Sequence, residues 1–346
     1  MKSIPIRLPT GVAFDHLLSD EHQRAIIGAA AANRPLLIRG EPGVGKSQIA
    51  YAAASLLSRP LKTFTVNANT ESQDLLWTFD AVARLAESQI LPKQNAKDPE
   101  QAEVNFRKRI EVKNFVKPGP LWWAIDWDSA SKQDLASAPT FVSDCQDTWR
   151  EQDGIVVLVD EIDKAESSVP NGLLEIFGAR QLQPVGWSQP IVAKKDSRPP
   201  LVIITTNEDR MLPTAFIRRC FVLEIQLLPC VDHDGNPVQG EAYDAFINYF
   251  VKLAHAHFKD ALPEIVYVET AKLLCVDRIA AIRGQETHKP GPAEYIDLLC
   301  AIQEWDSVDP SRPKGKRTPK RKESEFIELC KQLKEFVFKK NTRSIG

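Results

Sequence analysis

Residues 40–47 read Gly40-Glu41-Pro42-Gly43-Val44-Gly45-Lys46-Ser47 and fill every fixed position of the phosphate-loop pattern G-x-x-x-x-G-K-[ST]. Pro35–Arg39 before the loop is a short apolar run of the buried-strand kind. Gln48–Leu57 after it is rich in strong helix formers. The chemistry requires strand, glycine loop and helix in that order. Glycines let the backbone curl so that successive N–H groups face phosphate oxygens, with the positive end of the following helix behind them. Lys46 then reaches the β- and γ-phosphates, and the Ser47 hydroxyl ligates Mg²⁺. A chance glycine turn would not be bracketed this way, so Glu41 through Gln48 is read as a nucleotide cradle.

At 346 residues the chain is long enough for two domains, or for one α/β domain with an appendage. Its 43% hydrophobic and 26% charged content is that of an ordinary soluble globular protein. A formal net charge of -2 gives no sign of nucleic-acid binding by the chain as a whole. Met1–Asp15 lacks the apolar core of a secretory leader, and no apolar run approaches membrane-spanning length. A cytoplasmic protein without membrane attachment is expected. The six cysteines (145, 220, 230, 275, 300 and 330) form no C-x-x-C pair. Reduced, mostly buried thiols are expected, with neither a disulfide framework nor a zinc site.

Outward from the loop, residues 1–34 form a lead-in. It holds a small apolar patch, Phe14–Leu18, and a helix beginning at Asp20 with Ser19 or Asp20 as its cap. Such a segment either borders the base and ribose of a bound nucleotide or packs its helix on the sheet edge, and both readings stand. On the other side, Leu61–Asn67, Ile155–Asp160, Leu201–Asn207 and Phe221–Gln226 read as four further strands. Five strands separated by helical stretches predict an α/β fold: a parallel five-stranded sheet covered by helices, spanning residues 35–228.

Residues 68–150 exceed what a crossover needs, since a whole βαβ unit takes roughly 30 residues. Insertions that long carry structure and a task. The pattern predicts a helix over Glu71–Gln89, a polar stretch over Pro92–Arg109, and a Pro-Gly-Pro turn at 118–120 before Trp122 and Trp123. A core stripe explains that tryptophan pair as well as a functional contact does. A second excursion, residues 180–200, reads as a β-hairpin. Beyond it, Glu241–Lys259, Glu264–Arg283 and Pro292–Trp305 have helical apolar spacing and predict a small all-α lid over 229–308. Residues 309–322 are a basic linker, with seven cations among the twelve residues Ser311–Lys322. An amphipathic helix over Glu323–Lys340 occupies the last segment, 323–346, and no internal repeat is present.

Three constellations accompany the loop. Asp160-Glu161 ends a buried strand, where Asp160 can hold Mg²⁺ and Glu161 can orient the water that attacks the γ-phosphate. Asn207 ends the next strand and can position that water or touch the γ-phosphate, although asparagine also favours strand ends for turn chemistry alone. Arg218-Arg219 lies on a short segment before the fifth strand. Adjacent helical residues point about 100° apart, so at most one aims at a given phosphate. Out of context, a surface or intrasubunit ion pair would be the default for such a pair.

The order Gly40–Ser47, Asp160-Glu-Ile-Asp-Lys-Ala165, Thr205-Thr-Asn207 and Leu212-Pro-Thr-Ala-Phe-Ile-Arg-Arg-Cys220 resembles an AAA+ ATPase, and most of all the MoxR group of the helix-two-insert clade. The resemblance covers about residues 10–300 and includes Asp74-Leu-Leu-Trp77, Gly119-Pro-Leu121 and Leu173-Leu-Glu175. It implies ATP hydrolysis with Mg²⁺. Lys46 and Ser47 would belong to Walker A, Asp160 and Glu161 to Walker B, and Asn207 would be sensor one. Arg219 would be the finger arginine, and Asn67 a polar restraint on Glu161. It implies as well a homo-oligomeric ring, a hexamer, and a partner protein bearing a von Willebrand factor A domain, with look-alikes in bacterial conflict systems.

The sequence departs from the pattern at sensor two, where Ala293 occupies the slot the group fills with arginine. Lys289 and Arg283 are the candidate substitutes. A nucleotide-gated switch or scaffold with little turnover is the alternative reading, which the altered slot favours and the intact Asp160-Glu161 opposes. A nucleic-acid motor finds no base-specific motif, and the only basic tract reads as a linker. Asp232–Asn236 reads as a tight turn rather than a calcium loop, because Tyr243 stands at the twelfth position. His255 and His257, two apart on a helix, face different ways and do not suggest a metal site.

Overall fold

The computed structural model describes residues 2–7, 13–90, 99–142, 147–308 and 322–340. It opens with an antiparallel hairpin, β1 (Lys2–Arg7) on β2 (Ala13–Leu18), paired from Lys2↔Leu18 to Arg7↔Ala13. The sequence reading saw only the apolar patch here. The buried residues Ile4, Ile6, Phe14 and Leu18 show why the segment pairs as strands: one face of the hairpin is core. Helix α1 (Asp20–Ala32) follows, capped by Ser19, whose Oγ accepts the His22 N–H at 3.1 Å. Then come β3 (Leu36–Gly40), α2 (Lys46–Leu57) and β4 (Leu61–Thr65).

The long insert holds β5 (Trp77–Phe79), α3 (Ala81–Ser88), α4 (Pro99–Arg109), β6 (Val116–Pro118), α5 (Pro120–Ile125) and α6 (Trp127–Asp134). The helix predicted over Glu71–Gln89 is thereby corrected. The Asp74 side chain accepts the Glu71 N–H at 2.8 Å and closes a short 3-10 turn, after which Trp77–Phe79 pairs with Val116–Pro118. Asparagine, aspartate and their kin compete with the helix through such local bonds. Part of the stretch predicted only as polar, 92–109, is the helix α4. Gly119 shows why Pro-Gly-Pro stands before the tryptophans: a Cβ there would lie 2.5 Å from the Asp74 carbonyl. The two motifs thus meet, and the Gly119 N–H donates to Leu76 O at 2.8 Å. Trp122 and Trp123 are buried among core side chains.

After the insert run β7 (Val156–Asp160), α7 (Ser168–Ala179), a hairpin of β8 (Gln181–Leu182) and β9 (Ile191–Val192), β10 (Leu201–Thr205), α8 (Thr214–Ile217) and β11 (Phe221–Ile225). The five predicted strands form one parallel sheet in the order β11-β3-β10-β7-β4. Alternate residues feed two cores. Leu36, Ile38, Val156, Leu158, Leu201 and Ile203 pack under α1 and α2, whereas Leu37, Val157, Val159, Val202 and Ile204 pack under α5, α7 and α8. The connection leaving β3 therefore covers one face, and the connection leaving its neighbour β10 covers the other. Ligand crevices form at the carboxyl ends of strands at such a switch point.

Helices α9 (Glu241–Phe258), α10 (Glu264–Arg283), α11 (Pro292–Val308) and α12 (Glu323–Val337) close the chain around Phe246, Phe250, Tyr267, Leu274, Tyr295 and Leu298. Leu329, Cys330 and Phe338 are buried in this same cluster, so α12 packs into the lid's core. The basic linker lies outside the described residues apart from Lys322. The five described cysteines are free, four of them buried, and Cys145 lies outside the described residues. Among the described residues no helix is long and apolar enough to cross a membrane.

Candidate nucleotide site

The loop from Glu41 to Gly45 joins the carboxyl end of β3 to α2, and Gly45 begins that helix in the left-handed conformation at φ 92°. Lys46 is 7% exposed, and its Nζ donates to Gly40 O at 2.7 Å and Glu41 O at 2.9 Å. Burial pulls its pKa down, against the carboxylates of Asp163, Asp160, Glu161 and Asp209, which push it up. An ammonium held by two loop carbonyls, with carboxylates around it, is placed to turn toward phosphate oxygens.

The Ser47 hydroxyl donates to Asp160 Oδ1 at 2.8 Å, so the loop and the tip of β7 meet in one pair of hard oxygen donors. Mg²⁺ prefers such oxygens, takes one or two protein ligands and keeps water and phosphate for the rest. Among the described residues no cluster of three His, Cys, Asp or Glu side chains could cage a metal by itself. The donor set therefore fits a Mg²⁺ ion arriving with its phosphates, held by Ser47 and Asp160.

Strand β10 lies between β3 and β7, and its last residue ties the tips together. Thr205 Oγ1 donates to Asp160 Oδ1 and accepts the Glu161 N–H, the latter at 2.9 Å. Glu161 has φ 61°, a left-handed conformation that a non-glycine residue adopts at a cost of order 1–3 kcal/mol. Its carboxylate pairs with Lys164. Asn67, whose side chain accepts the Asn69 N–H at 2.8 Å in a local turn, makes no hydrogen bond to Glu161. Asn207 follows β10, and its N–H donates to Asp163 Oδ2 at 3.2 Å, alongside the Asp209 N–H at 3.0 Å. Asp163 is 2% exposed and pins the whole loop after β10. The sequence reading gave it no role. The available signal was a third acid three residues past Asp160, on a turn where solvent would have been the default.

The lid meets the loop directly. The Ala293 N–H donates to Gly43 O at 3.2 Å, and a Cβ on Gly43 would lie 3.1 Å from that of Ala293. Any larger pair would force helix and loop apart. A cation reaches the loop from elsewhere: Arg278 of α10, 7% exposed, donates to Glu41 Oε2 at 2.6 Å and Pro290 O at 3.0 Å. Of the two candidate substitutes, Lys289 comes to 3.9 Å from Glu41, while Arg283 bonds Gly235 O away from the loop. Arg278 was missed because 237 residues separate it from Glu41 and no local pattern marks it.

Between β2, the loop and the lid lies a cavity of about 210 Å³, lined by His16, Leu17, Gly45, Tyr249, His257 and Ile296 among others. The sheet-edge reading of the lead-in is realised. Phe221 of the edge strand packs at Gly28 of α1, and β2 borders the cavity. His257 stacks on Phe14 with ring centroids 4.1 Å apart. Burial lowers the pKa of each histidine to about 4. At His16 the neighbouring His22 and His257 add to that, against a hydrogen bond with Gln48. His255 lies against Tyr267 instead, and Asp232 Oδ1 accepts the N–H groups of Asp234 and Asn236 in a tight turn.

Arg218 caps the carboxyl end of α8, Arg219 follows it, and both are exposed. Among the described residues neither pairs with a carboxylate, and no bond joins Arg219 to the loop, Asp160 or Glu161. The sheet brings Lys46, Ser47, Asp160, Glu161 and Asn207 to one edge and leaves Arg219 facing outward.

The family profile of the AAA domain (dynein-related subfamily) matches residues 35–220. A search of curated proteins returned no match. Among solved structures, a putative ATPase from Cytophaga hutchinsonii is similar at 12% identity and TM-score 0.36, covering 92% of this chain and 80% of that one. Variants of RuvB from Thermotoga maritima are similar as well. One is 12% identical at TM-score 0.43, covering 91% of this chain and 70% of its own.

Proposed function

The chain belongs to the AAA domain family, dynein-related subfamily, and from that premise we propose that it is a MoxR-type ATPase that hydrolyses ATP with Mg²⁺ and works as a ring. The observation that carries this reading is the Ser47–Asp160 pair at 2.8 Å, which joins the phosphate loop to the carboxylate tip of β7. In the mechanism proposed, Lys46 and the loop N–H groups bind the phosphates, Ser47 and Asp160 hold the metal, and Glu161 and Asn207 align the attacking water. Phosphoryl transfer needs little beyond such positioning and charge neutralisation. Arg219 acts on a neighbouring subunit's nucleotide in a homo-oligomer, hexameric as the resemblance implies. The work is remodelling or activation of a partner protein, of which one bearing a von Willebrand factor A domain is the implied class.

A low-turnover switch is the second reading, favoured by the Glu161–Lys164 pair, which engages the glutamate's carboxylate. Steady-state ATPase measured alongside solution mass, with and without nucleotide, separates the two. Glu161→Gln should bind ATP yet turn it over at a small fraction of the wild-type rate. Arg219→Ala should bind normally and hydrolyse at least about a hundredfold more slowly. Mixing the two variants should restore part of the activity, because Glu161→Gln subunits still lend their arginine. No rescue at any ratio, or full activity from a monomer, would sink the ring mechanism.

A further inference from the structure

At the other end of the sheet, below the amino-terminal ends of β3 and β10, lies a cleft of about 140 Å³. Its walls are apolar: Leu121 and Ile125 of α5, Ile176 and Phe177 of α7, and Val202 of β10. The two charged residues that line it are both cations, Arg34 and Arg180, and no aspartate or glutamate does. Among the described residues neither guanidinium has a carboxylate partner or a hydrogen-bond acceptor. We propose that this cleft receives the carboxyl-terminal residue of a polypeptide, its apolar side chain in the cleft and its carboxylate on Arg34 and Arg180.

A bland explanation exists for each arginine alone. Arg34 follows the end of α1 and Arg180 caps α7, and a cation at a helix carboxyl terminus gains about 0.3–1 kcal/mol. That explains a cation near each helix end. It does not explain why both border one apolar cleft with no acid between them. Guanidinium groups bind carboxylates with paired, charge-assisted bonds, and an apolar wall beside them strengthens such a pair by excluding water. Arg180 is also held in the left-handed conformation at φ 47°, where a non-glycine residue is strained.

Size selects the occupant. At about 30 Å³ per water-sized group, the cleft holds roughly five such groups, which suits one leucine side chain and leaves most of a long acyl chain outside. A terminal residue carries its side chain and its carboxylate on one Cα, matching one cleft with cations at its rim. Arg180 starts the β8–β9 hairpin, with the Ala193 N–H donating to its carbonyl at 3.1 Å, so an occupant would bear on that excursion from the sheet.

The test uses the full chain and an amino-terminally fluorescein-labelled Gly-Ser-Gly-Ser-Leu peptide, read by fluorescence anisotropy at low salt. The free acid should bind, and its carboxamide should bind at least about tenfold more weakly. Arg34→Gln with Arg180→Gln should lose the preference for acid over amide, and Ala124→Phe, at another residue of α5 that lines the cleft, should fill it and abolish binding. The arginine variants are solvent-edge changes, and thermal melting confirms that they fold. Absence of binding at millimolar peptide, equal binding of acid and amide, or an unchanged preference in the double variant would overturn the proposal. So would tighter binding of octanoate, or of an amidated peptide whose acid is an internal aspartate.

Discussion

The phosphate-loop end of the candidate nucleotide site and its lid end are held by different means. At the phosphate end, Asp160, Glu161 and Asn207 sit at or just past the tips of β7 and β10, where the parallel ladder fixes their spacing, and Lys46 and Ser47 open α2 beyond the loop that leaves β3, with Ser47 bonded to Asp160. Thr205 then locks Asp160 and the Glu161 backbone together. At the lid end no ladder exists. Contact rests on a few long-range pairs: Arg278 with Glu41, the Ala293 N–H with Gly43 O, and His257 against Phe14. A ladder is lost only with the fold, whereas a handful of pairs can open singly. The first end is suited to chemistry and the second to motion.

The sharpest test of this contrast is Lys46→Ala. Removing the charge that faces the β- and γ-phosphates should abolish binding of a fluorescent ATP analogue while leaving the melting temperature within a few degrees. Lys46 bonds only loop carbonyls, so the fold does not depend on it. Undiminished affinity would move the nucleotide to another site and dissolve the distinction between the two ends.

The same contrast explains what the sequence made legible. Ladder residues follow hydrophobic runs and glycine spacing, so the five strands, the loop and the acidic tip could be read in order. Arg278 could not, since its partner lies 237 residues away and a buried arginine on an amphipathic helix resembles any solvated one. Asp163 was hidden for a related reason: its role is to accept the Asn207 and Asp209 N–H groups, and backbone acceptors leave no pattern. The region after Glu71 misled because Asp74 and Gly119 make a close turn-to-turn contact that helical periodicity does not register.

A smaller effect is expected from Arg278→Ala. It leaves Glu41 without its buried partner and frees the lid from the loop, so nucleotide affinity should fall by about 5- to 150-fold, the range of a 1–3 kcal/mol coupling. Lys46 and Asp160 are untouched, so turnover at saturating ATP should change less than affinity does. Glu41→Gln should reproduce the affinity loss, and the double variant should lose little more, because the two act through one contact. Additive losses would show that Arg278 works on the nucleotide directly, not through Glu41.

The smallest effect is a pH dependence confined to the lid end. Burial holds His16 and His257 neutral, with pKa values lowered from 6.5 to about 4. Between those values the unfolded chain binds more protons than the folded one, so stability rises with pH there. The contribution is complete above about pH 6.5 and is lost as pH falls toward about 4. At pH 5.5 the loss is roughly 1.4 kcal/mol for each histidine. Thermal melting at pH 7.5 and 5.5 should therefore show a drop that His257→Phe makes smaller by one histidine's share, since phenylalanine keeps the ring against Phe14 without titrating, while His22, whose pKa burial also lowers, keeps its own share. His16→Gln should remove a similar share, with His22 the remaining nearby titratable group. If the drop is the same in both variants and in the parent, the acid sensitivity lies elsewhere, and the hairpin–lid contact is not the weaker seam.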